Sequence, residues 1–142
     1  MKVVIVEDEI TASDNLSYLL NSINPSIEIL SVIDSVSDAI DYFSNNSEAV
    51  LIFMDIQLLD GLSFEIFDKI KITKPVIFTT AFDEYAIDAF RVNSIGYLLK
   101  PITFTDLSAA MKKLDSMKEQ FSSGEVIQSV IHQLDNKKIK ER

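Results

Sequence analysis

Cysteine is absent from the sequence, which removes disulfides, thiol nucleophiles and thiolate metal sites together. There is one histidine, His132, so neither a histidine-rich metal centre nor Ser-His-Asp chemistry is expected. No stretch of about twenty apolar residues occurs, and no charged-then-apolar leader opens the chain. The expectation is a cytoplasmic protein with no membrane partner. Basic residues are scarce: 13 Lys and Arg stand against 22 Asp and Glu, for a net charge of −9. The deficit lies in residues 1–124, where nine bases face nineteen acids; the remaining stretch, with Lys137, Lys138, Lys140 and Arg142, is slightly positive. An acidic body repels nucleic acid phosphates, so direct nucleic acid binding by this chain is not expected.

What is present suffices for one domain: 142 residues, 47% of them apolar. Short β-branched and aromatic runs recur at 3–6, 27–33, 50–54, 76–78 and 95–99. Runs of this kind suit strands buried on both faces, because each side chain meets a helix layer whichever way it points. Between them, the segments near 10–20, 36–46, 62–72, 83–92 and 103–121 carry helical spacing. Alternation of strand and helix predicts an α/β, doubly wound (βα)5 fold: a flavodoxin-like three-layer sandwich on a parallel five-stranded sheet. After Ser122, Ser123 and Gly124 a short apolar pattern resumes, so the reading is one domain over 1–122 followed by a linker region over 123–142.

Ligands of such sheets sit beyond the carboxyl ends of the strands. Chemically useful residues fall there: Glu7 and Asp8 after the first strand, Asp55 after the third, Thr79 and Thr80 ending the fourth, Lys100 and Pro101 closing the fifth. Three converging carboxylates call for a compensating cation, and a hard ion such as Mg2+ suits carboxylates, waters and phosphate oxygens. Asp55 would then be a nucleophile toward a phosphoryl group, with Lys100 as fixed positive charge and Thr80 as hydroxyl donor. Singly, each residue has a plainer reading: an acidic pair at a helix start, a cap, a good β-former, a solvated lysine. Their joint placement on four successive loops favours the chemical reading.

Four segments carry a family resemblance: Val3-Val4-Ile5-Val6-Glu7-Asp8, Phe53-Met54-Asp55-Ile56-Gln57, Val76-Ile77-Phe78-Thr79-Thr80-Ala81 and Gly96-Tyr97-Leu98-Leu99-Lys100-Pro101. Together they resemble the signature segments of receiver domains of two-component response regulators. The resemblance implies Asp55 as phosphoacceptor, and Glu7, Asp8, Asp55 and the Gln57 backbone carbonyl as Mg2+ ligands. It further implies Thr80, Ala81 and Lys100 around the phosphoryl group, Tyr97 as switch aromatic, and a cis bond at Lys100-Pro101. A sensor histidine kinase would be the phosphodonor, and the domain itself a signalling phosphoacceptor rather than an enzyme, with self-phosphotransfer and autodephosphorylation only.

The 82–90 segment, followed by Tyr97-Leu98-Leu99-Lys100-Pro101-Ile102, is similar to receivers that precede LytTR-type DNA-binding domains. DNA binding and transcriptional control would then belong to a second domain beyond this chain. Excess apolar surface on the 85–92 helix implies phosphorylation-promoted homodimerisation through that helix, the fifth strand and the last helix. One departure is visible: Leu59 takes the position of a usual proline, and Gly61 follows Asp55 by six residues in a loop two residues shorter than the family pattern. A flavin module would want a neutral phosphate cradle after the first strand, not Glu7-Asp8-Glu9. A phosphatase of the haloacid dehalogenase type would place its nucleophile there too. A phosphorylation-independent interaction module is the remaining alternative.

Overall fold

The computed structural model describes residues 1–45, 47–82 and 96–120, with main-chain description alone for 118–120. The 83–92 helix and the 123–142 linker of the sequence reading lie outside the described residues.

Strands β1 (Lys2–Val6), β2 (Glu28–Ile33), β3 (Leu51–Asp55), β6 (Val76–Thr80) and β7 (Gly96–Leu99) form one sheet in the order β2-β1-β3-β6-β7. Every pairing in it is parallel. The inner strands are apolar because both faces are covered. Val4, Val6, Ile52, Met54 and Phe78 point into one core with Ala39 and Ile66, from helices α2 (Val36–Phe43) and α3 (Phe64–Lys69). Val3, Ile5, Leu51, Phe53 and Ile77 point into the other. There they meet Leu16 and Leu20 of α1 (Ile10–Ile23) and Leu107, Met111 and Leu114 of α4 (Phe104–Gln120). A three-layer α/β sandwich results, as the alternating runs lead one to expect.

The 62–72 helix expectation is corrected by the structure. Gln57–Leu58 (β4) and Gly61–Leu62 (β5) pair antiparallel as a small hairpin, and α3 has only six residues. Leu62, Ile66, Phe67 and Ile70 do follow helical spacing, but the turn takes the first of them into a strand. Gly61 has φ +147°, a backbone conformation that side-chain-bearing residues rarely adopt, and a Cβ there would collide with the Glu65 carboxylate. Glu65 instead accepts the Leu62 amide at 2.9 Å, closing the entry to α3. The loop is a two-residue turn, Leu59 and Asp60, between paired strands.

Candidate functional site

Strand order reverses direction between β1 and β3, and the crevice at their carboxyl ends is where side chains from both can meet. Parallel register places Val6 beside Met54, and Asp55 beside Thr79. Glu7, the next residue after β1, is held by its amide on the Ile33 carbonyl at 2.8 Å. Carboxylate oxygens of Glu7, Asp8 and Asp55 all lie within 4.8 Å of one another. Glu7 and Asp55 are each only 5% exposed, and Asp8 is half-buried.

Lys100 reaches this cluster from the end of β7, anchored by its amide on the Thr80 carbonyl at 2.7 Å. Its Nζ lies 2.6 Å from Glu7 Oε1 and 3.1 Å from Asp55 Oδ2. The other Asp55 oxygen, Oδ1, accepts from the Gln57 amide at 3.4 Å. The Lys100-Pro101 bond is cis. Thr80 is buried at the end of β6, and its Oγ1 accepts the Phe82 amide at 3.1 Å. Ala81 is exposed in the loop just beyond. Tyr97, from β7, donates its hydroxyl proton to the Phe82 carbonyl. Thr80 and Tyr97 thus hold the two ends of one residue, a link that their separate motifs did not reveal.

One lysine does not balance three carboxylates. Burial pushes the Glu7 carboxyl above its ordinary range; Lys100 opposes that shift and the Asp55 charge adds to it. Asp8 is raised as well, first by burial and then by its hydrogen bond to Glu7. For Lys100, burial pulls downward, but the carboxylates of Glu7 and Asp55 outweigh it and hold the ammonium above its usual value. Hard carboxylate donors with uncompensated charge, partly open to solvent, fit a small divalent cation.

A pH dependence follows for the metal-free protein. Below the ordinary Glu7 value of 4.5, the group is protonated in both folded and unfolded chains. As pH rises from there through the raised folded value, the unfolded chain loses its proton first, so stability falls and stays lower above. Asp55→Asn removes one charge that raises Glu7. In chelator, the variant should therefore exceed wild type by about 1–2 kcal/mol at pH 7. Its advantage should shrink on acidification below the window. Denaturant melts across pH check this; a variant no more stable than wild type at pH 7 would contradict it.

Asp60 was not singled out by sequence reasoning. Its carboxylate accepts the amides of Val36 and Ser37 at 2.7 and 3.1 Å, across 24 and 23 residues of chain. These bonds hold its carboxyl below the usual range. The Asp60-Gly61 pair signals a turn, but nothing local signals the partner.

A parallel five-stranded α/β fold with an acidic crevice and a lysine just beyond the last strand defines a class: the receiver domains. The family model for the response regulator receiver domain matches residues 3–112, and the chain belongs to that family. Within it, the chain is 37% identical over 122 residues to the sensory transduction protein LytT of Bacillus anthracis, covering 84% of this chain and 49% of that protein. It is 35% identical over 121 residues to the transcriptional regulatory protein LytR of Staphylococcus aureus (strain N315), covering 83% of this chain and 48% of that protein. The response regulatory domain of protein mrkE from Klebsiella pneumoniae superposes with a TM-score of 0.71 at 33% identity, over 84% of this chain and 99% of that one. The chain spans about half the length of the curated relatives it matches. It is a receiver domain of a two-component response regulator related to LytT and LytR. No described helix is long and apolar enough to cross a membrane.

Proposed function

We propose that Asp55 accepts a phosphoryl group from a sensor histidine kinase and that the resulting charge switches the domain between two states. The observation that carries this reading is the convergence of Glu7, Asp8 and Asp55 within 4.8 Å, with Lys100 bonded to two of them. A carboxylate oxygen of Asp55 attacks phosphorus; the bond from phosphorus to the donor nitrogen breaks, and the electron pair leaves with the imidazole. Lys100 turns from its carboxylate partners to the incoming phosphoryl oxygens, with Thr80 and the Ala81 amide as further donors. Glu7, Asp8, Asp55 and the Gln57 carbonyl would hold Mg2+, which supplies charge withdrawal and in-line alignment when bound. In this reading the domain acts as a signalling phosphoacceptor, with self-phosphotransfer and autodephosphorylation its own chemistry.

The readout passes through Phe82. Pulling Thr80 toward a phosphoryl oxygen competes with its bond to the Phe82 amide, and the Phe82 carbonyl is the Tyr97 acceptor. Tyr97 lies on β7, an edge strand, beside exposed Leu99 and a groove toward Ala110 and Lys113 of α4. This edge, with α4 and the 85–92 segment of the sequence reading, is the proposed homodimer face. Sedimentation with beryllofluoride should give a dimer where the untreated chain gives a monomer; monomers in both, at high micromolar concentration, would count against it.

The receiver model's match to residues 3–112 and the relatives' greater length support a receiver with further chain beyond it; the proposal completes this with a receiver over 1–122, a linker over 123–142 and a LytTR-type DNA-binding domain, in a cytoplasmic regulator of transcription. Acetyl phosphate with Mg2+ should add one phosphoryl group to wild type and none to Asp55→Asn, with chelation abolishing the wild-type reaction. Equal labelling of both proteins sinks the assignment of Asp55. An absence of labelling in wild type would favour the phosphorylation-independent module.

A further inference from the structure

The turn residue Asp60 binds the 57–62 hairpin to a neighbouring helix, and that hairpin starts at Gln57. We propose that Asp60 is a positioning residue, clamping the 57–62 hairpin to the amino end of α2 and so fixing the Gln57 backbone for metal binding. The inference rests on the reading of Gln57 and the three carboxylates as a Mg2+ site.

A hairpin with two residue pairs has little stability of its own, so its position is set by anchors outside it. At the base, the Ser63 amide bonds the Ile56 carbonyl at 2.8 Å, and Ile56 and Leu58 are buried in the α2–α3 core. At the tip, Leu59 is 86% exposed. Asp60 supplies the tip anchor. Oδ1 takes the Val36 amide at 2.7 Å and Oδ2 the Ser37 amide at 3.1 Å, so the carboxylate is fixed in rotation as well as position. Gly61, at φ +147°, lets the chain turn back directly after the clamp.

The helix end is matched to this use. Ser35 Oγ accepts the Asp38 amide at 3.0 Å, leaving the Val36 and Ser37 amides for an acceptor from elsewhere. Asp60 meets both, with a carboxylate at the positive end of the helix. Mg2+ demands near-ideal octahedral placement of its ligands, and a backbone ligand can meet that demand only if its loop is held. In a hairpin with a two-residue turn, this clamp sets where Gln57 stands relative to Asp55.

Calorimetric titration of the unphosphorylated chain with Mg2+ tests the proposal, alongside thermal melts in chelator. Asp60→Ala should weaken Mg2+ binding roughly tenfold. Ser35→Ala, which removes the other cap from the same helix end, should lower Tm comparably yet keep Kd within about twofold of wild type. A positioning role is overturned if Asp60→Ala binds Mg2+ like wild type, or if Ser35→Ala weakens it as much. Should Asp60→Ala fail to fold, Asp60→Asn keeps one acceptor oxygen and should lose about threefold; unchanged affinity there overturns the proposal equally. Wild type that binds no Mg2+ at all would instead refute the metal reading beneath it.

Discussion

Lys100→Ala should slow phosphoryl transfer from acetyl phosphate to Asp55 by about 10²- to 10³-fold with Mg2+ saturating. The lysine is the one cation placed on the acidic cluster among the described residues, 2.6 Å from Glu7 and 3.1 Å from Asp55. Its removal has two consequences of opposite visibility. The metal-free site loses its internal counter-charge, which raises Glu7 and Asp8 further and favours their protonated forms. The transferring phosphoryl group loses a preplaced positive charge in a half-buried crevice, where such a charge acts more strongly than in water. Lys100→Arg keeps the charge but brings a wide planar fork into a space shaped for an ammonium, and should recover only part of the rate. Rates are read from the growth of phosphorylated protein by intact mass. A Lys100→Ala rate within threefold of wild type would remove the lysine from the chemistry.

Phe78→Ala should destabilise the domain by about 3–5 kcal/mol. Phe78 is fully buried on β6, where its ring meets Phe64 at 5.2 Å and Phe67 at 5.9 Å between centroids. Both partners belong to α3, a helix too short to hold itself without tertiary packing. The loss therefore combines a cavity in the core with a loosened α3, and α3 follows directly on the hairpin after Asp55. Urea unfolding measures the change. Ile10→Ala serves as the control, because Ile10 is 77% exposed at the start of α1 and should stay within about 0.5 kcal/mol of wild type. A Phe78→Ala cost below 1 kcal/mol would mean that the α3 side of the core is not packed as described.

The sheet was legible because its physics is local. Runs such as Val3-Val4-Ile5-Val6 and Leu51-Ile52-Phe53-Met54 are apolar at every position, which suits a strand covered on both faces. The same logic placed Glu7, Asp8, Asp55, Thr80 and Lys100 at strand ends, and the structure gathers the three acids around Lys100 in one crevice. Thr80 ends β6 beside it, with its own bond to Phe82. What stayed hidden depends on partners distant in sequence. The periodicity of 62–72 hides a turn, because Leu62 fits a helical stripe and a strand equally well. Asp60 reads as a surface turn residue until α2 is brought to it from 24 positions away. Likewise Tyr97 reveals no acceptor until β7 lies beside β6 and the Phe82 carbonyl comes within reach.

The most direct measurement locates the phosphoryl group on the chain. Protein treated with acetyl phosphate and Mg2+ is digested under acidic conditions, which preserve an acyl phosphate, and the modified residue is read by tandem mass spectrometry. The expected result is a single phosphoryl group on Asp55. A phosphoryl group on Asp8, on a hydroxyl such as Thr80, or on His132 would contradict the assignment.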